Sequence, residues 1–403
     1  MDGQRRYTAA LPTPARRATA STDMRAYPVS ANSSNIAAAI AVVTDSWSTA
    51  APAGSRLRGM PAAYNRTERL RSNVREGESV MNIHPLRIGR TKVPFGQFYG
   101  GLEGFSISEF AADKDHFIWV PIHAYLLEHP TAGPILVDTG ISPEQAAHTD
   151  YYRGSIMEHV MDADEYDLPD EETMPAQVAR LGYRPEDIRA VFITHFHEDH
   201  VGALNLFAHA PVYLGAAEYA AREDKVLGLV PLAYPPSIAA ITDWRPLEFT
   251  GPALGGFTGS ADVFGDGSVI ALPTPGHSPG STSVLVDHRF LLTGDAMYTI
   301  RHLAVDQVRA IQTGGETRYV DSIRRIQWLR RELPELLVLT SHDHTDYGER
   351  LIAGLATGRL SDADLAWAKA YERAAFDELA NINPARLPRF VPAADGGPVG
   401  QAN

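Results

Sequence analysis

The sequence predicts a layered α/β domain. Short apolar runs alternate with helix-length amphipathic stretches from Met81 onward, no internal repeat breaks that alternation, and His or Asp recurs just where apolar runs end. Strands mixed with helices in this way indicate packed layers around a sheet core. The strand-like runs are 116–128, 134–138, 189–194, 268–272, 282–287, 289–292 and 336–340. The helical stretches are about 173–181, 201–208, 215–223 and 319–333. In the last of these, Val320, Ile323, Ile326, Leu329 and Leu333 recur at helical spacing. Gly182 is placed to end the 173–181 helix, and Pro185 starts the turn into the 189–194 run. A further helix near 362–379 opens on Ser361 and Asp364 as a capping box and aligns Leu365, Ala368, Ala375 and Leu379 on one face.

Charge divides the chain. Residues 1–80 hold 11 Arg, no Lys and 6 acidic residues, a formal +5. The whole chain carries −13, which leaves −18 on residues 81–403. An acidic body disfavours a nucleic-acid backbone as partner. The leader 1–80 is rich in Ala, Ser, Thr, Pro and Arg without sustained periodicity, so disorder is expected there. Met81 opens a different style of sequence and is a candidate start of the natural protein; a peptide from before Met81 in N-terminal mass spectrometry would end that idea. The apolar run 36–43 is far too short for a bilayer, which needs about 20 residues. It is also a poor signal core, and the Arg5-Arg6 and Arg16-Arg17 pairs lack the flanks of a twin-arginine signal. A cytoplasmic enzyme is expected, with no membrane partner. The chain has no Cys, which removes disulfides, thiolate metal ligands and Cys nucleophiles together. Residues 381–403 are rich in Pro and Gly and are expected to be a flexible tail.

The segment Thr194-His195-Phe196-His197-Glu198-Asp199-His200 follows the apolar run Ala190-Val-Phe-Ile193. In an extended backbone His195 and His197 point the same way. Neutral imidazole and carboxylate are the ligand types that divalent transition metals take up, zinc above all. A polar loop that happens to hold histidines is the bland alternative, but four such groups crowded together without an ion would compete for protons. Four ligands at one strand end rarely serve a single ion, and more appear downstream. His277 sits in the rigid turn Thr274-Pro-Gly-His-Ser-Pro-Gly280, Asp295 ends Leu291-Leu-Thr-Gly-Asp295, and His342 follows Leu336-Leu-Val-Leu-Thr-Ser341. A lone His or Asp at a strand end means little; three recurrences in one chain point to a common site.

The order HxHxDH, PGHSPG, GD and a final His resembles the metallo-β-lactamase superfamily, over roughly 90–345. The phrases LGYRPEDI, THFHEDHVG and GDAMY resemble its N-acyl homoserine lactonase branch, the quorum-quenching lactonases. The resemblance implies a four-layered αβ/βα sandwich with a dinuclear site at one edge of its sheets. The expected organisation is then a leader (1–80), a metallo-hydrolase domain (81–345), a helical extension of it (346–380) and the tail. By that resemblance His195, His197 and His277 hold one divalent ion, Asp199, His200 and His342 the other, and Asp295 bridges both. Two ions about 3.5–4 Å apart share a water, lower its pKa and yield a hydroxide that attacks an ester carbonyl. Tyr298 matches the family's substrate tyrosine and would donate to the oxyanion, and Asp199 would pass a proton to the leaving alkoxide.

Asp138, in Ile135-Leu-Val-Asp-Thr-Gly140, matches another superfamily motif and reads as a support behind the ligands. His344 lies two beyond His342 and fits the family order less well. Phe95, Phe98, Tyr99 and Phe105 suit an acyl-chain pocket, a plain core or a dimer contact equally. His148, His159 and His302 have no pattern behind them and read as surface or packing residues. The expected substrate is a lactone, foremost an N-acyl homoserine lactone, with a homodimer as the expected assembly. The rivals are an arylesterase or phosphotriesterase on the same two ions, a mononuclear-iron persulfide dioxygenase-like enzyme, and a non-catalytic binding module. The last is disfavoured by the complete ligand set, and Asp295 speaks against a true β-lactamase.

Overall fold

The computed structural model describes residues 81–94, 117–147, 165–226, 230–231, 235–303, 313–358, 360–380, 391–392 and 398–399. The leader, the aromatic stretch Phe95 to Phe105, His148 and His159 lie outside them, and so does most of the tail. Among the described residues the strands run β1 (Asn82–Pro94), β2 (Phe117–His129), β3 (Gly133–Val137), β4 (Glu165–Asp167), β5 (Ala190–Phe192), β6 (Val212–Gly215), the small pair β7 (Lys225–Val226) and β8 (Val230–Pro231), and β9 (Trp244–Leu247). Then come β10 (Ala261–Asp262), β11 (Val269–Pro273), β12 (Thr282–Val286), β13 (Phe290–Leu292) and β14 (Leu337–Leu339). The helices used below are α1 (Met174–Arg180), α2 (Glu198–Val201), α3 (Ala216–Ala220), α4 (Glu316–Glu332), α5 (Asp346–Ala356) and α6 (Asp362–Ala380).

Two mixed sheets result, ordered β4-β1-β2-β3-β5-β6-β9 and β10-β11-β12-β13-β14. Period-two alternation in the first sheet decides the layers. Tyr125, Leu127, Ile135, Val137, Ala190 and Phe192 share one core with residues of the second sheet. Their neighbours Ala124, Leu126, Leu136 and Val191 enter a separate core with Met174 and Val178 of α1, Phe196, Leu204 and Phe207. The second sheet is buried on both faces, since Val284, Leu285 and Val286 all lie in the shared core with Tyr319, Ile323, Ile326 and Leu329 of α4. The sequence is therefore helix, sheet, sheet, helix, an αβ/βα sandwich. Among the described residues no helix is long and apolar enough to cross a membrane.

Each strand-like run in the sequence coincides with a strand to within a few residues. β1 was not expected, because Pro85 and Gly89 interrupt its pattern. Its register against β2 steps from Arg87–His123 to Arg90–Pro121, one extra residue on β1, and Gly89 takes φ 74° in that bulge. The expected 201–208 helix is two short turns, α2 and a 3-10 turn at Leu204–Phe207. Gly202 sits between them with its backbone against Gly140 and Ile141, where a Cβ would collide. The 362–379 helix is present, and Ser361 and Asp364 make the reciprocal bonds of a capping box.

The C-terminal helices belong to the same core. Tyr347 on α5 stacks near Trp367 and Tyr371 on α6, and the buried carboxylate of Glu372 accepts from Tyr347 Oη at 2.7 Å and pairs with Arg330 of α4. Glu372→Ala removes the carboxylate that the Arg330 guanidinium and the Tyr347 phenol share. A loss of about 3–5 kcal/mol in urea unfolding is expected, the range for breaking a buried pair from one side.

Candidate metal centre

The site forms where strands of both sheets end. β3 and β5 are parallel and stop at Asp138 and at the 194–200 loop; β13 and β14 are parallel and stop at Asp295 and His342. β11 runs in the same sense as β13, since each is antiparallel to β12, and it delivers the His277 turn. Gly276 in that turn has φ 141° and lies flush on the Tyr319 backbone at the start of α4, so no side chain fits there.

All seven residues singled out by motif meet at this point. Nε2 of His277 lies 3.1 Å from Nε2 of His195 and 2.8 Å from Nδ1 of His197. Nε2 of His342 lies 3.2 Å from Oδ2 of Asp199, and Nε2 of His200 lies 3.7 Å from Oδ1 of Asp199. Asp295 stands between the two groups. Its Oδ2 is 3.3 Å from His277 and 4.0 Å from His195, while its Oδ1 is 3.3 Å from His200 and 3.2 Å from His342. The potential donor atoms fall into three overlapping sets: His195, His197 and His277; His195, His200 and Asp295; Asp199, His200 and His342. His344 belongs to none of them.

The imidazoles are aimed by what holds their other nitrogen. Nδ1 of His342 donates to Pro121 O at 2.8 Å, and Nδ1 of His200 faces Asp138 Oδ2 at 2.8 Å. Nδ1 of His195 faces Thr194 Oγ1 at 3.1 Å, and that hydroxyl in turn donates to Asp138 Oδ2 at 2.8 Å. These bonds keep a proton on Nδ1 and point Nε2 inward, where a cation that displaces its proton would find the lone pair. Asp138, in the left-handed region at φ 61°, thus supports one imidazole of each group. Asp138→Ala is expected to weaken metal binding by about 10- to 100-fold, the usual cost of losing a partner behind a ligand, as read by competition with a chelating dye.

The donor set fits a pair of cations. Nε2 of His200 and Oδ1 of Asp295 are buried and make no hydrogen bond, a costly state for two polar atoms that a cation would relieve. The charges around them agree. Burial opposes the ionised form of Asp295, yet His342, His200 and His277 hold its carboxyl well below the usual range. Burial likewise opposes charge on His342, but Asp295 and Asp199 push its pKa up to about 10. His277, by contrast, is pushed down to about 3 by burial and by His197. Five imidazoles and two carboxylates with no thiolate suit zinc, iron or manganese.

Supports the motifs did not reveal complete the site. Glu218 on α3 is fully buried and accepts from Phe196 N at 2.9 Å, Ser278 Oγ at 2.7 Å and Gly280 N at 2.8 Å. It ties the 194–200 loop to the His277 turn. Asp343 accepts from Ile300 N at 2.8 Å and from Thr345 N and Oγ1 at 3.0 and 2.6 Å, joining the His342 loop to the segment after Asp295 and to the start of α5. No local pattern marks Glu218, whose partners are all distant in sequence, or the reach of Asp343 to Ile300. Tyr298 is buried, packs against Ile118 and Val120, and sets its phenol 3.1 Å from Nδ1 of His277.

A family model described as the metallo-beta-lactamase superfamily matches residues 118–352. The chain belongs to that superfamily. It is a metal-dependent hydrolase, and its sandwich is the metallo-beta-lactamase fold. Among curated relatives, an N-acyl homoserine lactonase AttM of Agrobacterium fabrum is 30% identical over 239 residues, covering 56% of this chain and 82% of the relative. An N-acyl homoserine lactonase of Bacillus cereus is 33% identical over 188 residues, covering 45% and 65%. A crystal structure of an N-acyl homoserine lactone hydrolase, with its product N-hexanoyl-L-homoserine at the catalytic metal centre, shares the fold at TM-score 0.54 and 23% identity, covering 66% of this chain and 95% of that one.

Proposed function

We propose that this hydrolase opens the ring of a lactone, foremost N-acyl homoserine lactones, with two zinc ions. The observation that carries the reading is the Tyr298 phenol on His277, beside a pocket of five imidazoles and two carboxylates. The lactonases among its relatives support the substrate class. His195, His197 and His277 would hold one ion, Asp199, His200 and His342 the other, and Asp295 would offer one oxygen to each. When bound, the ions supply Lewis acidity and a water acidic enough to ionise near neutral pH.

The protein's own groups do the rest. With Nε2 of His277 turned inward, its Nδ1–H donates to the phenol oxygen of Tyr298. In the reaction the phenol O–H donates to the carbonyl oxygen as negative charge gathers there. Burial favours the neutral form of Asp199, but His200 and His342 pull its pKa to about 2, so the carboxylate stays ionised. In that form it accepts the proton released as water attacks the carbonyl, and it returns that proton to the ring oxygen as the C–O bond breaks. The leaving alkoxide of a lactone remains tethered, so prompt protonation prevents reclosure. A cytoplasmic homodimer is part of the same proposal.

An arylesterase or phosphotriesterase on the same centre is the second reading, because the pocket chemistry is common to all three reactions. A panel of homoserine lactones of graded acyl length, aryl esters and paraoxon on metal-loaded protein ranks them. The proposal expects the highest kcat/KM with a homoserine lactone. A higher value for paraoxon or an aryl ester would replace it.

A further inference from the structure

We propose that His302 is a positioning residue that fixes Tyr298 for the reaction; the inference rests on the donor role given to Tyr298 above. No sequence pattern marks His302. The structure buries it in a 3-10 turn, Ile300–Leu303, with 1% of its surface exposed. Its Nδ1 accepts two backbone N–H groups at once, from Tyr298 at 3.2 Å and from Thr299 at 3.0 Å. Its own backbone N–H returns a bond to Thr299 O at 3.0 Å. The ring therefore closes a small loop on the residue whose phenol meets His277.

Two donors converging on one nitrogen fix its state. Nδ1 must be unprotonated, so the imidazole is neutral with its hydrogen on Nε2. The other side of Tyr298 is held as well, since Thr340 Oγ1 donates to Tyr298 O at 2.7 Å. Asp343 takes Ile300 N at 2.8 Å, which pins the next turn. The tyrosine backbone is thus clamped at its N–H by His302 and at its carbonyl by Thr340, and the phenol is held in place before substrate arrives. A donor aimed beforehand costs no reorganisation when charge develops. Without His302, two buried N–H groups lose their acceptor and the loop has reason to re-form elsewhere.

Side-chain geometry supplies a sharp test. Oδ1 of Asn sits at the same branch position as Nδ1 of His, whereas the acceptor of Gln lies one bond further out. His302→Ala is expected to lower kcat about 10-fold at unchanged metal content, with a smaller change in KM. His302→Asn should recover most of the loss, and His302→Gln should not. Hydrogen exchange at the Tyr298 and Thr299 amides should be slow in the natural protein and in His302→Asn, and fast in His302→Ala. In a Tyr298→Phe background, His302→Ala should cost less than about 2-fold in kcat, because the group it positions is already gone. Tyr298→Phe with unchanged kcat would withdraw the donor role and this inference together. A slowed Tyr298→Phe with an unaffected His302→Ala would overturn the inference alone, and so would equal losses from His302→Ala in both backgrounds or rescue by Gln and not Asn. A variant that fails to fold leaves the exchange comparison between the natural protein and His302→Asn, where rapid exchange in both contradicts the clamp.

Discussion

Asp295→Ala is expected to bind fewer metal ions than the natural protein and to lose at least about 1,000-fold in turnover. Among the described residues Asp295 is the one carboxylate set between both groups of imidazoles, with Oδ2 toward His277 and His195 and Oδ1 toward His200 and His342. It is buried, so at most a neutral water could take its place. Removing it subtracts a negative charge from the middle of five imidazoles, leaves His195, His197 and His277 without a carboxylate, and leaves Asp199 as the remaining anion of the other half. The loss should exceed the 10- to 100-fold typical of a residue standing behind the ligands. Metal analysis by inductively coupled plasma mass spectrometry, together with turnover on a homoserine lactone, reads both effects. Unchanged metal content with unchanged turnover would contradict the bridging position.

The second large effect belongs to Tyr298. Tyr298→Phe deletes one oxygen and keeps the ring, so packing against Ile118 and Val120 and the fold should survive. Metal content at saturating zinc should stay constant, since the phenol meets Nδ1 of His277 rather than the nitrogen that faces the centre, although affinity should fall as for any ligand that loses the partner behind it. kcat should fall between about 10-fold and about 1,000-fold, the upper end being the measured scale for one lost oxyanion donor. KM should move much less, because the bond strengthens as charge develops and is weak in the ground state. A change confined to KM would make Tyr298 a binding contact, and no change in either would make it a packing residue.

The site was legible in the sequence to an unusual degree, for a physical reason. Four of the seven side chains lie within six consecutive residues, and the other three each follow an apolar strand. A parallel arrangement brings such strand ends to one edge, so a local pattern reports a tertiary meeting point. The layers were legible for a similar reason, because buried strands of this fold are short, apolar and bounded by turns. What failed was of two kinds. β1 carries a bulge at Gly89 and a Pro within it, and the predicted 201–208 helix breaks where Gly202 touches Gly140, so backbone contacts overrode the local pattern. Glu218 and His302 carry no motif because they hold mainly backbone N–H groups, two each, which no side-chain pattern records. The motif around Asp138 marks a support behind the ligands, and its bonds to Thr194 and His200 are what such a support makes.

The most direct measurement is an anomalous difference map at the zinc edge from crystals of zinc-loaded protein. Two peaks are expected, one among His195, His197 and His277 and one among Asp199, His200 and His342, each within coordination distance of a different oxygen of Asp295. A single peak, or peaks that leave Asp295 or His342 without contact to metal, would contradict that arrangement.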